Sequence, residues 1–209
     1  MTSSPTPPPA TAAPQRTGRA RATTHDELSR IALELFLERG FDETTVHDIV
    51  SAAGIGRRTL FRYFPSKNDL PWGDFDGMLD AFREHLAQSD PGSPVFETLR
   101  DAIIDFNRYP EQEMAHHRKR MWLLLSVPSL QAHSTLRYAG WRRVIVEYLA
   151  ARRGEDPDAL GPQAIAWACL GLCLSAYEQW LADESSDLVQ LLEAAFAAAQ
   201  TMFGETTDQ

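Results

Sequence analysis

The chain has 209 residues, and its 20 Lys and Arg against 29 Asp and Glu leave a net charge of −9. Taken whole, that balance argues against a nucleic-acid binder, because phosphate-binding domains are usually basic. With 44% apolar and 23% charged residues, the composition is that of a globular protein of one or two domains that buries a core without disulfides.

Residues 1–22 form a tail. Pro5, Pro7, Pro8, Pro9 and Pro14 oppose a helix, and the segment has too few apolar groups to fold. It lacks the apolar run of a signal peptide, so none is expected. Arg16, Arg19 and Arg21, with no acid among them, suit either a solvated linker or a basic arm that reaches DNA when a folded domain delivers it.

The first helix opens at Thr24, where Thr24-x-x-Glu27 has capping-box spacing. Leu28, Ile31, Ala32, Leu35 and Phe36 follow with helical period, and Gly40 ends the run. Thr45-x-x-Asp48 caps a second, short helix with the apolar face Val46, Ile49, Val50 and Ala53. Gly54-Ile55-Gly56 breaks the chain for about three residues before a third helix, Arg57 to Phe64, which Pro65 stops. Ser66-x-x-Asp69 caps a fourth helix expected to run to about Gln88, with Pro71 tolerated in its first turn. Beyond it the pattern predicts helices at about 94–109, 112–127, 129–152, 159–183 and 187–203. No segment alternates with period two, so the fold class is all-α.

Cys169 and Cys173 stand four residues apart on a helix and fit core packing, with redox or metal use as the alternative. Nothing has zinc-ligand spacing, and neither metal nor cofactor is expected. Residues 159–177 carry no charge over 19 positions. Gly161-Pro162, Gln163 and Ser175 leave the fully apolar part shorter than the roughly 20 residues of a membrane span, so a buried helix is expected and no membrane partner. Low cysteine use suits a reducing cytoplasm.

Two short helices joined by a glycine turn make a helix-turn-helix signature. Ala52 and Ala53 allow close approach, Gly54 supplies positive φ, and Ile55, Leu60 and Phe64 pin the second helix to the first. Arg57, Arg58 and Arg62 are left on the outer face. The run Gly40-Phe41-x-x-Thr44-Thr45-Val46-x-x-Ile49-x-x-x-Ala53-Gly54-Ile55, followed by Thr59-Leu60-Phe61-x-Tyr63-Phe64-x-Ser66-Lys67, resembles the N-terminal domain of TetR-type transcriptional regulators. The stretch from Gly54 to Gly73 is similar to the regulators found beside mycofactocin biosynthesis clusters.

That resemblance implies a helix-turn-helix DNA-binding domain at 23–70 and an effector-binding and dimerisation bundle at 71–209. It implies a homodimer on a near-palindromic double-stranded DNA operator, with recognition helices about 34–36 Å apart, released by a small effector. On matching positions it assigns Arg57 and Arg58 to base edges, Thr59 to bases or backbone, and Thr45 and Tyr63 to phosphates. Lys67 would share a phosphate with a helix N-terminus. His47 lies near the base-contacting region, more as a surface or phosphate contact, and Arg62 completes the basic face. Phe61 stands where a Tyr is common, and Gly56 replaces a usual Ser.

In the bundle, Trp72, Phe75, Phe106, Trp122 and Trp141 are the expected lining of an effector pocket, with ordinary core packing as the alternative. His116-His117-Arg118-Lys119-Arg120 is a basic block, either a solvated face or an anchor for the phosphates of an acyl-CoA-like ligand. Ala164, Ala168, Leu172 and Ala176, with Leu188, Leu191, Leu192, Ala195, Phe196 and Ala199, are expected to form the dimer contact through the last two helices. The expected function is a repressor with a largely apolar or amphipathic effector. A DNA-binding regulator without effector is the alternative, and a small helical enzyme using His116 or His117 is a remote one.

The charge divides unevenly. Residues 1–70 hold 9 Lys and Arg and 8 Asp and Glu, while the rest hold 11 and 21. A bundle that DNA repels orients the basic end toward the duplex and makes binding salt-sensitive.

Overall fold

The computed structural model describes residues 24–204, so the Pro-rich tail with Arg16, Arg19 and Arg21 lies outside the described residues. Among the described residues there are nine α-helices, one short 3-10 segment and no strand.

Helix α1 (His25–Arg39) starts where Thr24 Oγ1 accepts the Glu27 N–H at 3.1 Å and ends at Gly40, φ +93°. Helix α2 (Val46–Ala53) has a complete capping box between Thr45 and Asp48. Its end is a Schellman turn: Gly54 sits at φ +65°, ψ +30°, its N–H bonding Ser51 O, while Ile55 N–H bonds Val50 O at 3.0 Å. Only glycine adopts that left-handed geometry without steric cost. Helix α3 (Arg57–Tyr63) follows with Gly56 as a cap that has no side chain to offer.

The expected single helix from Ser66 to Gln88 is two pieces. A 3-10 segment (Lys67–Trp72) contains Pro71 and stops at Gly73, φ +62° and ψ −141°. Helix α4 (Phe75–Ala87) then begins under its own cap, Asp74. Pro71 has no N–H for the helical ladder and Gly73 holds a φ outside the right-handed region, so the two capping signals start separate elements.

The bundle is completed by α5 (Val95–Phe106), α6 (Glu111–Ser126), α7 (Pro128–Arg153), α8 (Leu160–Ala182) and α9 (Leu188–Gly204). Helix α7 packs on α4, α6 and α8, and α9 packs on α8 and α5. Helix α1 and the 3-10 segment join this bundle through α6 and α7. One continuous apolar cluster therefore runs from Leu28 to Phe196.

By length and composition α8 is apolar enough to cross a membrane. It packs in the bundle, burying Ala166, Cys169, Leu170, Cys173, Ala176, Tyr177 and Trp180. Both cysteines are buried thiols, and burial pushes Cys169 up to about 12, which removes thiolate reactivity.

Candidate nucleic-acid interface and interior cavity

The turn at Gly54 sets α3 against α2. Leu60 and Phe64 point inward and are buried, whereas Arg57, Arg58 and Arg62 are exposed. No acid among the described residues pairs with any of the three. Thr59 is half-buried, Phe61 is 42% exposed, and His47 is exposed on α2. The structure thus gathers Arg57, Arg58, Arg62 and His47 as exposed side chains on the helix-turn-helix unit, with the Arg62 guanidinium 5.3 Å over the Tyr63 ring.

Three other expected contacts are already engaged. Thr45 Oγ1 donates to Asp48 and accepts the Asp48 N–H, so its hydroxyl is a helix cap. The bond from the Thr45 hydroxyl, with a second from Thr45 N–H to Asp48 Oδ2 at 2.9 Å, holds the Asp48 carboxyl below its usual range. Lys67 Nζ donates to Phe41 O at 2.8 Å and Thr44 O at 3.1 Å and lies 4.2 Å over the Phe41 ring. It ties down the α1–α2 connection and retains one donor for a phosphate. Tyr63 makes an edge contact with His25, whose Nε2 bonds Tyr63 O at 3.2 Å.

Where the helix-turn-helix unit meets the bundle, an ion cluster appears that no sequence signal announced. Asp69 is buried on the 3-10 segment. Its Oδ2 accepts from Ser66 N and Oγ, and its Oδ1 accepts from His133 Nε2 at 2.8 Å and from the Arg137 guanidinium, both on α7. Burial opposes the charge, but the bonds from Ser66, His133 and Arg137 outweigh it and hold the carboxyl below its usual range. Arg137 also reaches Asp76 at 3.0 Å.

Inside the bundle, a cavity of about 70 Å³ lies among the 3-10 segment, α4, α5, α6, α7 and α8. Trp72, Phe75, Phe106 and Trp141 line it together. Trp122 does not: it is 52% exposed on the opposite side of α6. Met114, His117, Met121 and Leu124 form the inward stripe of that helix, and Trp122 falls one residue off it.

The basic block is dispersed by the helical turn. His117 is buried in the cavity wall, stacked on Tyr109 at 3.8 Å. Burial, with Arg120 and His116 adding repulsion, pushes its pKa down to about 3. Arg118 lies over the Trp180 ring at 4.1 Å and donates to the carbonyls of Trp180, Asp183 and Glu184 at the end of α8. Lys119 is exposed, and Arg120 lines the cavity. Arg120 also borders an outer cleft beside α1, whose other charged neighbours are Asp26, Glu27, Arg30, Asp74 and Glu113. Acids outnumber bases there.

The dimer surface expected from sequence is partly consumed within one chain. Ala176, Leu188, Leu192 and Phe196 are buried in the bundle's own core. Ala164 and Ala168 remain exposed on α8, and Leu172, Leu191, Ala195 and Ala199 are half-buried. No group of three His, Cys, Asp or Glu among the described residues is placed to hold a metal.

A short helix, a left-handed glycine turn and a second helix bearing unpaired arginines, set on a helical bundle, define a helix-turn-helix transcriptional regulator. Residues 30–70 match the family described as bacterial regulatory proteins, tetR family, and residues 93–204 match the MftR C-terminal domain. The chain is 48% identical over 181 residues to MftR of Mycobacterium tuberculosis, a protein named as a mycofactocin biosynthesis transcriptional regulator, covering 87% of this chain and 91% of that one. It belongs to the TetR family, whose members are transcriptional regulators rather than enzymes. Solved structures share the fold. FadR of Thermus thermophilus in complex with lauroyl-CoA matches at TM-score 0.55 and 23% identity, over 88% of this chain and 96% of that one. FadR of Bacillus subtilis in complex with stearoyl-CoA matches at TM-score 0.57 and 18% identity, over 83% and 96%.

Proposed function

We propose that the protein is a dimeric, cytoplasmic repressor that binds a near-palindromic operator and is released by a small, largely apolar effector. The observation that carries this is α3, presented by the turn at Gly54 with Arg57 and Arg58 exposed and unpaired. Residues 23–70 would bind DNA, and residues 71–209 would bind effector and form the dimer. Arg57 and Arg58 have the planar fork that matches guanine O6 and N7. Arg62, Lys67, Thr59, Tyr63, Thr45 and His47 would contact backbone or flanking bases. For Thr45 and Lys67 that role comes on top of the intramolecular bonds they already make. The exposed Ala164 and Ala168, with the half-buried Leu172, Leu191, Ala195 and Ala199, would meet their copies in an isologous contact.

The effector would enter the aromatic cavity. Two fold relatives hold acyl-CoA, which supports an apolar chain there. Ligand sites usually occupy about 300–1,000 Å³, so binding must widen the roughly 70 Å³ cavity. That widening would displace α4 and the jointed segment before it, favouring a conformer with the wrong spacing of recognition helices. The dispersed basic block and the acid-rich outer cleft give little support to a phosphate anchor at His116–Arg120. The small cavity also favours a second reading, a regulator without effector. Anisotropy with DNA from around its own gene, with and without candidate ligands, tests both. Specific binding reversed by a ligand supports the first reading, and binding that no ligand shifts supports the second. No specific binding refutes both.

A further inference from the structure

Seven buried side-chain N or O atoms among the described residues lack a well-formed hydrogen bond in the protein, and four of them belong to the cavity wall: Trp72 Nε1, His117 Nδ1, Arg120 Nε and Tyr138 Oη, the last with only a weak partner in the Ser134 hydroxyl. Buried polar groups are almost always bonded, so a cluster of exceptions in one cavity calls for a partner from outside the chain.

Asn107 Nδ2 donates to Ile103 O at 2.7 Å, which fixes its amide orientation, because the flipped amide would set two carbonyl oxygens together. Asn107 Oδ1 then accepts from Tyr177 Oη at 2.8 Å. Having given up its only proton, Tyr177 Oη can only accept from His117, so the bond at 2.9 Å is donated by His117 Nε2. Burial keeps the His117 ring neutral. Its Nδ1 is therefore a bare lone pair that needs a donor. Trp72 Nε1 and Arg120 Nε carry hydrogens and need acceptors. Tyr138 Oη, whose burial pushes its pKa up to about 12, stays a protonated phenol that can do either.

Building on the proposed effector binding, we infer that the cavity recognises an apolar ligand whose polar segment is neutral and both donates and accepts, as a hydroxyl or an amide does. A carboxylate or simple ester only accepts and leaves His117 Nδ1 bare. Turning the His117 tautomer to suit it would strip Asn107 Oδ1 of its bond from Tyr177. A hydrocarbon satisfies none of the four and displaces water without replacing its bonds.

Calorimetric titration of the full chain with a matched set tests this: n-octanol, octanamide, methyl heptanoate, octanoate and octane. The alcohol and amide should bind at least about tenfold more tightly than the ester, the carboxylate and the alkane, the cost of one unsatisfied buried group. His117→Phe keeps the ring on Tyr109 and should bring the alcohol-to-ester ratio to about one. Trp72→Phe, which removes the indole N–H, should weaken alcohol, amide and ester alike. Equal affinities across the polar probes, or octanoate binding tightest, would overturn the inference and leave the effector reading standing. Binding by none of the five, octane included, would overturn both.

Discussion

Replacing Asp69 with asparagine keeps the shape of the side chain and removes its charge from the cluster that joins the DNA-facing unit to α7. The Asp69 side chain is 6% exposed and that of Arg137 17%. Breaking a buried pair from one side costs about 3–5 kcal/mol. Arg137 keeps Asp76, itself 82% exposed, and asparagine can still accept from Ser66 or His133. We therefore expect a loss of about 2 kcal/mol, or about 4–8 °C in Tm for a chain of this size. Thermal unfolding followed by circular dichroism measures it. The folded Asp69 carboxyl lies below the usual 3.8. Its charge therefore stabilises the fold above that value, and the benefit is lost as pH falls through the folded pKa. The gap between wild type and Asp69→Asn should persist at neutral pH and close only in acid. In a double-mutant cycle with Arg137→Met the coupling should exceed about 1 kcal/mol. A Tm change under about 1 °C, or additive effects, would refute the energetic role given to this cluster.

Arg57→Ala and Arg58→Ala should relax operator preference with stability unchanged within about 0.5 kcal/mol, since both side chains are exposed and unpaired. Anisotropy against operator variants, paired with melting curves, checks this. Lys67→Ala should weaken binding to all sequences alike and also cost about 1–2 kcal/mol of stability, because two loop carbonyls lose their donor. A melting curve identical to wild type would show that these bonds contribute nothing. Gly54→Ala should destabilise by about 1–2 kcal/mol through its positive φ alone, since no atom lies within 4 Å of the added Cβ; urea unfolding reads it. His117, folded pKa about 3 against 6.5 in the unfolded chain, should show no imidazole titration by NMR near neutral pH. Wild-type stability should then decline as pH drops from 6.5 toward 3, because only the unfolded chain takes up the proton. His117→Phe should lack that component.

The helix-turn-helix unit was legible because its determinants are local. Thr45, Asp48, Gly54 and Gly56 act within a few residues, and capping, positive φ and helical period are properties of short segments. The same locality explains the failure at residues 66–88. The Ser66 cap was legible, but Pro71 and Gly73 together start a new element at Asp74, which periodicity alone does not separate. In the bundle, composition showed that aromatics abound and not which of them meet. Trp141 and Trp122 are both tryptophans on helices. The stripe Met114, His117, Met121 and Leu124 was the signal that could have turned His117 inward and Trp122 out.

By itself, then, the sequence determined the all-α class, the helix-turn-helix unit with arginines on its outer face, and a charge of −9 that falls on the bundle rather than on the helix-turn-helix end. Tertiary structure alone decided which polar groups are paired. Asp69 finds His133 and Arg137 some 64 and 68 residues away, and His117 finds Tyr177 across 60. A hydrogen bond depends on a few tenths of an ångström between side chains, and only packing of the whole bundle sets such distances. Whether a buried polar atom is satisfied or left open for a ligand is therefore a property of the fold and not of any segment.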